Sequence, residues 1–208
     1  MKILSHRGYW KTVAEKNTVL AFRRSFDLGF GTETDVRDMA GELVMSHDMP
    51  TGSPIKLAEF LSLIDDPTMP LAINIKADGL AKPLAQQFAS KNLDWFVFDM
   101  SVPDMRMHLN VGNPVFARMS EVEKDPAWLD EAQGVWLDAF SSEWYDVQLI
   151  GALLNRGKRV CIVSPELHGR DPAPVWDTLT ELSGRENLML CTDHPEDAQR
   201  KFFGALAK

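Results

Sequence analysis

Residues 31–48 read GTETDVRDMAGELVMSHD, a pattern that predicts a β-strand, a tight turn and a short return strand. Glu33 and Asp35 are two positions apart. Successive strand side chains alternate between faces, so both carboxylates project from the same side. The turn centres near residues 40–41, and the apolar segment after it runs back along the first strand. This brings His47 to about the level of Asp35, so the stretch predicts a hairpin that sets a histidine beside two carboxylates.

A second histidine lies at the end of the first apolar segment of the chain. Residues 3–5 predict a short strand, and His6, Arg7 and Gly8 follow it directly. Two carboxylates and two histidines that converge on one pocket can hold a divalent cation and move protons. The sequence therefore indicates metal-assisted acid–base chemistry at the ends of neighbouring strands.

Eight short apolar segments recur along the chain, and segments with helical spacing separate them. The predicted strands cover residues 3–5, 31–37, 71–76, 95–99, 115–118, 135–138, 159–163 and 188–192. The predicted helices cover residues 19–28, 57–64, 80–90, 101–109, 128–132, 145–155, 173–183 and a last segment that begins at Pro195. Apolar strands that alternate with helices favour the α/β class, and eight units predict a small (β/α)8 TIM barrel with a β-hairpin extension after the second strand. A doubly wound open sheet is the alternative, but no glycine-rich phosphate loop follows the first strand.

Composition limits the classes of function. The 208 residues are 45% hydrophobic, which is enough for one core, and we expect a single domain over residues 1–208. A net charge of −8 argues against binding to nucleic acid or to an anionic membrane. Cys161 and Cys191 lie in apolar segments and are expected to be buried thiols. The first residues show no signal peptide, and no apolar run approaches the ~18 residues of a membrane helix, so we expect a cytoplasmic protein without membrane insertion.

Polar residues stand at or just after most of the predicted strands. These residues are His6, Glu33, Asp35, Lys76, Asp99, Arg118, Asp138, Ser164, Glu166, Thr192 and Asp193. Each of them alone is an ordinary loop residue. Their recurrence at the same place in successive units indicates a site, because barrel active sites are built from the carboxyl ends of the strands.

The segments His6-Arg7-Gly8, Glu33-x-Asp35 and His47-Asp48 resemble the motifs of the glycerophosphodiester phosphodiesterase family, which belongs with the phosphatidylinositol phospholipase C-like barrels. Three weaker matches follow the same order along the chain. They are Lys16-Asn17-Thr18, where the family has Glu in place of Lys, the helix start at residues 55–61, and Thr192-Asp193-His194-Pro195.

The resemblance implies a metal-assisted phosphodiesterase on a TIM barrel. In this chain, His6 and His47 would be the general acid and base, and Glu33 and Asp35 would bind Mg²⁺ or Ca²⁺. Lys76 would contact the phosphate. We expect the substrate to be a small-molecule phosphodiester, either a glycerophosphodiester-like compound or a sugar phosphodiester, and the family's preference for glycerol is not carried over to this chain.

The chain departs from the family pattern at the third metal ligand. The family usually has an acidic residue two positions before the lysine, and here that position is Asn74. An amide oxygen can bind Ca²⁺ or Mg²⁺ but carries no charge, so we expect Asn74 to be a weak third ligand.

Two further departures concern the choice of substrate. The family often carries a small insertion between the hairpin and the next barrel strand. Here only residues 49–70 lie between them, which predicts a more open substrate pocket. Residues 164–170 read SPELHGR where the family often has Trp-Thr. Within this segment Glu166 and Arg170 are candidate substrate contacts. Arg7 and Arg118 are further candidates for binding the anionic substrate.

Two other functions stay open at this point. The first is a lyase or transferase that releases a cyclic phosphate, like the related sphingomyelinase D barrels. The second is a non-catalytic barrel that binds a phosphorylated ligand. The attacking group is either water or a neighbouring hydroxyl of the substrate, and the sequence does not choose between them.

Overall fold

The computed structural model describes residues 1–204, which form an α/β barrel. Its strands are β1 (Lys2–His6), β2 (Gly31–Met39), β3 (Glu42–Met45), β4 (Leu71–Ile75), β5 (Trp95–Phe98), β6 (Phe116–Met119), β7 (Gly134–Leu137), β8 (Arg159–Val163) and β9 (Leu188–Thr192). Its α-helices are α1 (Val19–Asp27), α2 (Leu57–Leu61), α3 (Ala81–Phe88), α4 (Val102–Asn110), α5 (Val147–Asn155), α6 (Ala173–Leu179) and α7 (Pro195–Phe203). No helix within these residues is long and apolar enough to cross a membrane.

Eight of the strands are parallel and follow one another in the order β5-β4-β2-β1-β9-β8-β7-β6. The two outer strands of this order, β5 and β6, approach each other and nearly close the sheet. Val97 of β5 donates its N–H to the carbonyl of Pro114 at 2.8 Å, and it forms a parallel bridge with Val115. The prediction of a small (β/α)8 TIM barrel is therefore confirmed.

The barrel interior is filled by side chains. Phe96 stacks on Phe116 with ring centroids 3.7 Å apart, and Phe98 stacks on Trp136 at 3.8 Å. Both cysteines belong to the same interior cluster and are free thiols. A packed interior leaves polar chemistry to the ends of the barrel, where the strand-end residues lie.

The hairpin after β2 forms as the sequence predicts. β3 pairs antiparallel with β2, with Val36 opposite Met45 and Met39 opposite Glu42. Ala40 and Gly41 join the two strands, and both have positive φ, 51° and 85°. Positive φ at both central residues is the geometry of a type I′ turn, whose twist matches that of the strands. Because Met45, the last residue of β3, pairs with Val36, the hairpin ends close to the carboxyl end of the barrel.

One predicted helix is absent. Residues 128–132 form turns instead, so no helix joins β6 to β7 in this part of the chain. Trp128 has φ of 52°, a left-handed conformation that cannot start a right-handed helix. The Arg106 guanidinium lies 4.3 Å from the centre of its ring. The apolar spacing of residues 128–132 reflects this packing and not a helical face.

Candidate active site

His6 ends β1 at the carboxyl end of the barrel and is mostly buried, with 14% of its side chain exposed. Its Nδ1 atom lies 2.8 Å from Asp193 Oδ1, and its Nε2 atom lies 3.9 Å from Glu33 Oε2. Burial lowers the pKa of His6 from its ordinary value, while the hydrogen bond with Asp193 acts in the opposite direction. A neutral imidazole that donates from Nδ1 to Asp193 leaves Nε2 unprotonated, so His6 presents a proton acceptor to the site.

Glu33 and Asp35 lie on one face of β2, as strand alternation predicts. The Glu33 side chain is only 2% exposed, and Asp35 is fully buried. Burial and then the charge of Asp35 raise the pKa of Glu33 well above its ordinary value. Two neighbouring buried carboxylates are unfavourable unless positive charge compensates them.

Asp35 meets positive and polar groups from three elements. Its Oδ2 atom accepts a hydrogen bond from Asn17 Nδ2 at 2.9 Å. Arg7 Nε lies 2.9 Å from the same oxygen, although its N–H is not aimed at it. The Lys76 ammonium lies 3.5 Å from Oδ1, which accepts no hydrogen bond. Asp35 therefore accepts a hydrogen bond at Oδ2, whereas Oδ1 accepts none and faces the ammonium of Lys76.

Asn74 stands directly opposite Asp35 in the parallel pair of β2 and β4. Its amide nitrogen donates to Asp99 Oδ2 at 3.4 Å, and its buried Oδ1 has no hydrogen-bond donor. The amide is thus oriented by Asp99, with its oxygen left without a partner beside the carboxylates of β2.

The loop after β1 depends on a glycine. Arg7 has a positive φ of 58°. Its N–H donates to the Glu33 carbonyl at 2.9 Å and lies 3.2 Å from Glu33 Oε2. Gly8 also has positive φ, 78°, and a Cβ atom there would lie 2.8 Å from the Cβ of Ala21 in α1. Only glycine combines that conformation with such close contact, which explains the His-Arg-Gly sequence in physical terms.

Arg118 joins the site through Asp99. Asp99 follows β5 with φ of 69°, an uncommon conformation for a residue with a side chain. Its Oδ1 accepts from Arg118 Nη1 at 2.8 Å, and Lys76 Nζ lies 4.0 Å from its Oδ2. Lys76 and Arg118 therefore place two positive charges along this side of the barrel mouth.

His47 lies at the rim. It follows Ser46, whose N–H donates to the Asp35 carbonyl at 3.0 Å, so the chain reaches the level that the hairpin predicts. The His47 side chain is 44% exposed, and its Nδ1 lies 2.9 Å from Asp48 Oδ1. It lines an open pocket with Arg7 and Asn17. Within residues 1–204, no hydrogen bond or ion pair joins His47 to His6 or to the buried carboxylates.

Glu166 and Arg170, the two candidates after β8, are engaged with other parts of the protein. Glu166 accepts hydrogen bonds from Ser164, from the Thr192 hydroxyl and from the N–H of Asp193. Arg170 pairs with Glu143 and donates to the carbonyl of Ala139. The structure thus brings His6, Arg7, Glu33, Asp35, Asn74, Lys76 and Arg118 together, but does not join Glu166 or Arg170 directly to them.

Asn17 and Asp193 belong to the site, although the sequence motifs that contain them did not predict a role for either residue. Asn17 accepts from the Thr34 hydroxyl at 2.9 Å and donates to Asp35, so it fixes the orientation of one carboxylate. Asp193 orients His6. Burial acts to raise the pKa of Asp193, but the hydrogen bond with His6 and nearby positive charges lower it overall. The Asn-Thr and Thr-Asp-x-Pro matches were the available signals for these two residues.

The oxygen atoms of this cluster fit a divalent cation. Within residues 1–204, no group of three His, Cys, Asp or Glu side chains forms a metal site by itself. Asp35 Oδ1 and Asn74 Oδ1 are nevertheless buried oxygens without hydrogen bonds, and the Glu33 carboxylate is buried beside them. Hard cations such as Mg²⁺ and Ca²⁺ bind carboxylate and amide oxygens, so Glu33, Asp35 and Asn74 form a suitable donor set.

No family model matches the chain, and no curated protein matches it significantly. Among solved structures, a glycerophosphoryl diester phosphodiesterase from Parabacteroides distasonis matches with a TM-score of 0.57 at 14% identity, over 96% of this chain and 85% of its own. A Ca²⁺-dependent phosphatidylinositol-specific phospholipase C from Streptomyces antibioticus matches with a TM-score of 0.53 at 10% identity, over 95% of each chain. The chain shares the fold of these proteins, which confirms the motif-based resemblance at the level of the fold.

Proposed function

We propose that the protein is a metal-assisted phosphodiesterase that acts on a small glycerophosphodiester or sugar phosphodiester. One observation carries this proposal: a mostly buried histidine, two buried carboxylates and a lysine converge where the strands end. The two fold neighbours are described as phosphodiester-cleaving enzymes, which supports the same reaction class.

The cationic groups bind the substrate phosphate. A phosphodiester is a stable monoanion, and its reaction is accelerated when charge on its non-bridging oxygens is neutralised. Lys76 and Arg7 lie beside the Asp35 carboxylate and supply part of this charge. Arg118 lies further along the mouth and contacts the anionic substrate from that side. Glu33, Asp35 and Asn74 would hold Mg²⁺ or Ca²⁺, which when bound polarises the phosphoryl group. That one fold neighbour is described as Ca²⁺-dependent supports this cofactor.

The two histidines move the protons. His6 accepts a proton at Nε2, and Asp193 stabilises the imidazolium that then forms, through its hydrogen bond to Nδ1. His47 lines an open pocket together with Arg7 and acts as the second acid–base group. In this proposal the substrate phosphate lies between the two histidines, which no hydrogen bond or ion pair joins within residues 1–204.

The acidic chain with two free thiols fits an enzyme of cytoplasmic small-molecule metabolism. Its partner in this proposal is the small-molecule diester alone, with no nucleic acid and no stable membrane insertion.

The test is a substrate panel of glycerophosphodiesters and sugar phosphodiesters, with Mg²⁺, Ca²⁺ or Mn²⁺ added and products identified by ³¹P NMR. A phosphomonoester as the first product supports a hydrolase. A cyclic phosphate as the first product supports the lyase alternative. Binding of diesters without any product would support the non-catalytic alternative and contradict the proposal.

A further inference from the structure

The carboxylate of Glu166 holds the end of one barrel strand. Glu166 lies in a short 3₁₀ helix, Pro165–His168, directly after β8. Its Oε1 atom accepts from the N–H of Asp193 at 3.1 Å and from the Thr192 hydroxyl, and its Oε2 accepts from the Ser164 hydroxyl. Both carboxylate oxygens of Glu166 thus accept hydrogen bonds from groups of the protein itself.

The hydrogen-bond chain continues outward into the helical layer. The fully buried hydroxyl of Ser164 accepts from the indole Nε1 of Trp176 in α6 at 2.8 Å. Because that hydroxyl donates to Glu166, its direction is fixed from both sides. The Glu166 side chain is therefore anchored to a helix outside the barrel as well as to β9.

The same series of hydrogen bonds extends inward to His6. Asp193, whose N–H binds Glu166, places its side-chain Oδ1 2.8 Å from His6 Nδ1. The position of the Asp193 backbone determines the orientation of that carboxylate. A hydrogen bond to a carboxylate is stronger than one between neutral groups, so Glu166 is a firm anchor for that backbone.

We propose that Glu166 is a positioning residue, which holds Asp193 so that His6 keeps one tautomer with Nε2 unprotonated. This inference rests on the proposed function and replaces the expectation that Glu166 contacts substrate. Groups that hydrogen-bond directly to a metal-ligating histidine typically change affinity or activity about 10- to 100-fold when mutated, and we expect an effect of this order for Glu166.

The main variants are Glu166→Ala, which removes the anchor, and Glu166→Gln, which keeps an acceptor oxygen for Asp193 and Thr192. Glu166→Asp withdraws the carboxylate by one methylene and replaces the alanine variant if that variant does not fold. Glu143→Ala is the matched control. It removes a nearby carboxylate that pairs with Arg170 and does not take part in the hydrogen bonds of Glu166.

Two readouts are measured on each folded variant. The first is the ¹⁵N NMR signature of the His6 tautomer at a pH where the imidazole is neutral, which needs no activity. The second is kcat and KM for bis(p-nitrophenyl) phosphate. We expect Glu166→Ala to mix the two tautomers of His6 and to lower kcat about 10- to 100-fold with little change in KM. Glu166→Gln and Glu143→Ala should stay close to wild type.

The outcomes separate this inference from the proposed function. An unchanged His6 signature in Glu166→Ala, or in Glu166→Asp when the alanine variant is unfolded, overturns the inference even if kcat falls. A Glu166→Gln protein that behaves like Glu166→Ala also contradicts it, because the acceptor geometry is then insufficient. If the wild type cleaves no diester, the proposed function fails, while the His6 signature still decides the role of Glu166.

Discussion

Asp35 and Asn74 face each other across β2 and β4, and each has a buried side-chain oxygen that accepts no hydrogen bond. A buried polar atom without a partner costs about 1–3 kcal/mol. Two such oxygens in register, beside a second buried carboxylate at Glu33, form the donor set that we propose for a cation. The Lys76 ammonium, 3.5 Å from Asp35 Oδ1, compensates only part of the charge.

The first prediction concerns the charge at position 74. Asn74→Asp adds a negative charge to the donor set and should tighten Mg²⁺ or Ca²⁺ binding, whereas Asn74→Leu should weaken it without unfolding the barrel. Calorimetric metal titration measures both. Asn110→Asp is the control, because it adds the same charge at an exposed position of α4. Equal affinity in all four proteins would show that Asn74 is not a ligand.

The second prediction concerns the histidines. His6→Ala and His47→Ala should keep the fold and each reduce diester turnover by about 10²-fold or more, the usual contribution of a general acid or base. His168→Ala is the control at the same end of the barrel, where His168 Nε2 pairs with Asp138 at 2.7 Å. Near wild-type turnover in the His47 variant would move the second proton transfer to another group.

The third prediction separates stability from activity at Glu33. Glu33→Gln removes an ionisable group whose pKa is raised by burial and by Asp35, and it keeps an acceptor for the N–H of Arg7. Because the raised pKa means that folding disfavours the ionised form of Glu33, the metal-free variant should be more stable than the wild type. Each kcal/mol gained raises the melting temperature by about 2–4 °C in a protein of this size. The same variant should lose turnover and lose stabilisation by added metal. Glu59→Gln, an exposed change in α2, serves as the control. A lower melting temperature for Glu33→Gln without metal would refute the prediction.

The fourth prediction concerns pH and a histidine far from the site. His108 is fully buried, with Nδ1 3.0 Å from Asn113 Nδ2 and Nε2 3.4 Å from Asp104 Oδ2. Burial lowers the pKa of His108, although Asp104 opposes this effect. The folded protein therefore binds the proton less readily than the unfolded chain. The contribution of neutral His108 to the free energy of unfolding should be fully present above about pH 6.5 and should decrease as the pH falls below that value.

Urea unfolding at several pH values measures this effect as a difference between wild type and His108→Gln. The difference is needed because the lowered pKa of His6 acts in the same direction in both proteins. Exposed His194→Gln is the control. Parallel pH profiles for wild type and His108→Gln would contradict the prediction.

The parts of the fold that follow from local patterns could be predicted from the sequence. Alternation places Glu33 and Asp35 on one face, and the Ala40–Gly41 turn sets the register of the hairpin. The helix predicted at residues 128–132 was wrong because a left-handed conformation at Trp128 depends on tertiary packing.

The contacts between distant strands could not be predicted in the same way. Glu166 was expected to face substrate, but β8 and β9 are neighbours in the sheet, and the β9 end supplies donors to its carboxylate. The pairing of His6 with Asp193 joins the two ends of the described chain. Such roles depend on which strands are adjacent when the barrel closes.

Removal of the metal from an active preparation shows whether the protein cleaves phosphodiesters with a divalent cation and His6. A glycerophosphodiester is incubated with wild type and with His6→Ala, first with added Mg²⁺ or Ca²⁺, then with excess chelator, and then with the cation restored, while ³¹P NMR follows the products. We expect wild-type cleavage to stop with chelator and to return with the cation, and we expect almost no cleavage by His6→Ala under any condition. Cleavage that continues unchanged in excess chelator, or that is equal in His6→Ala, would contradict it.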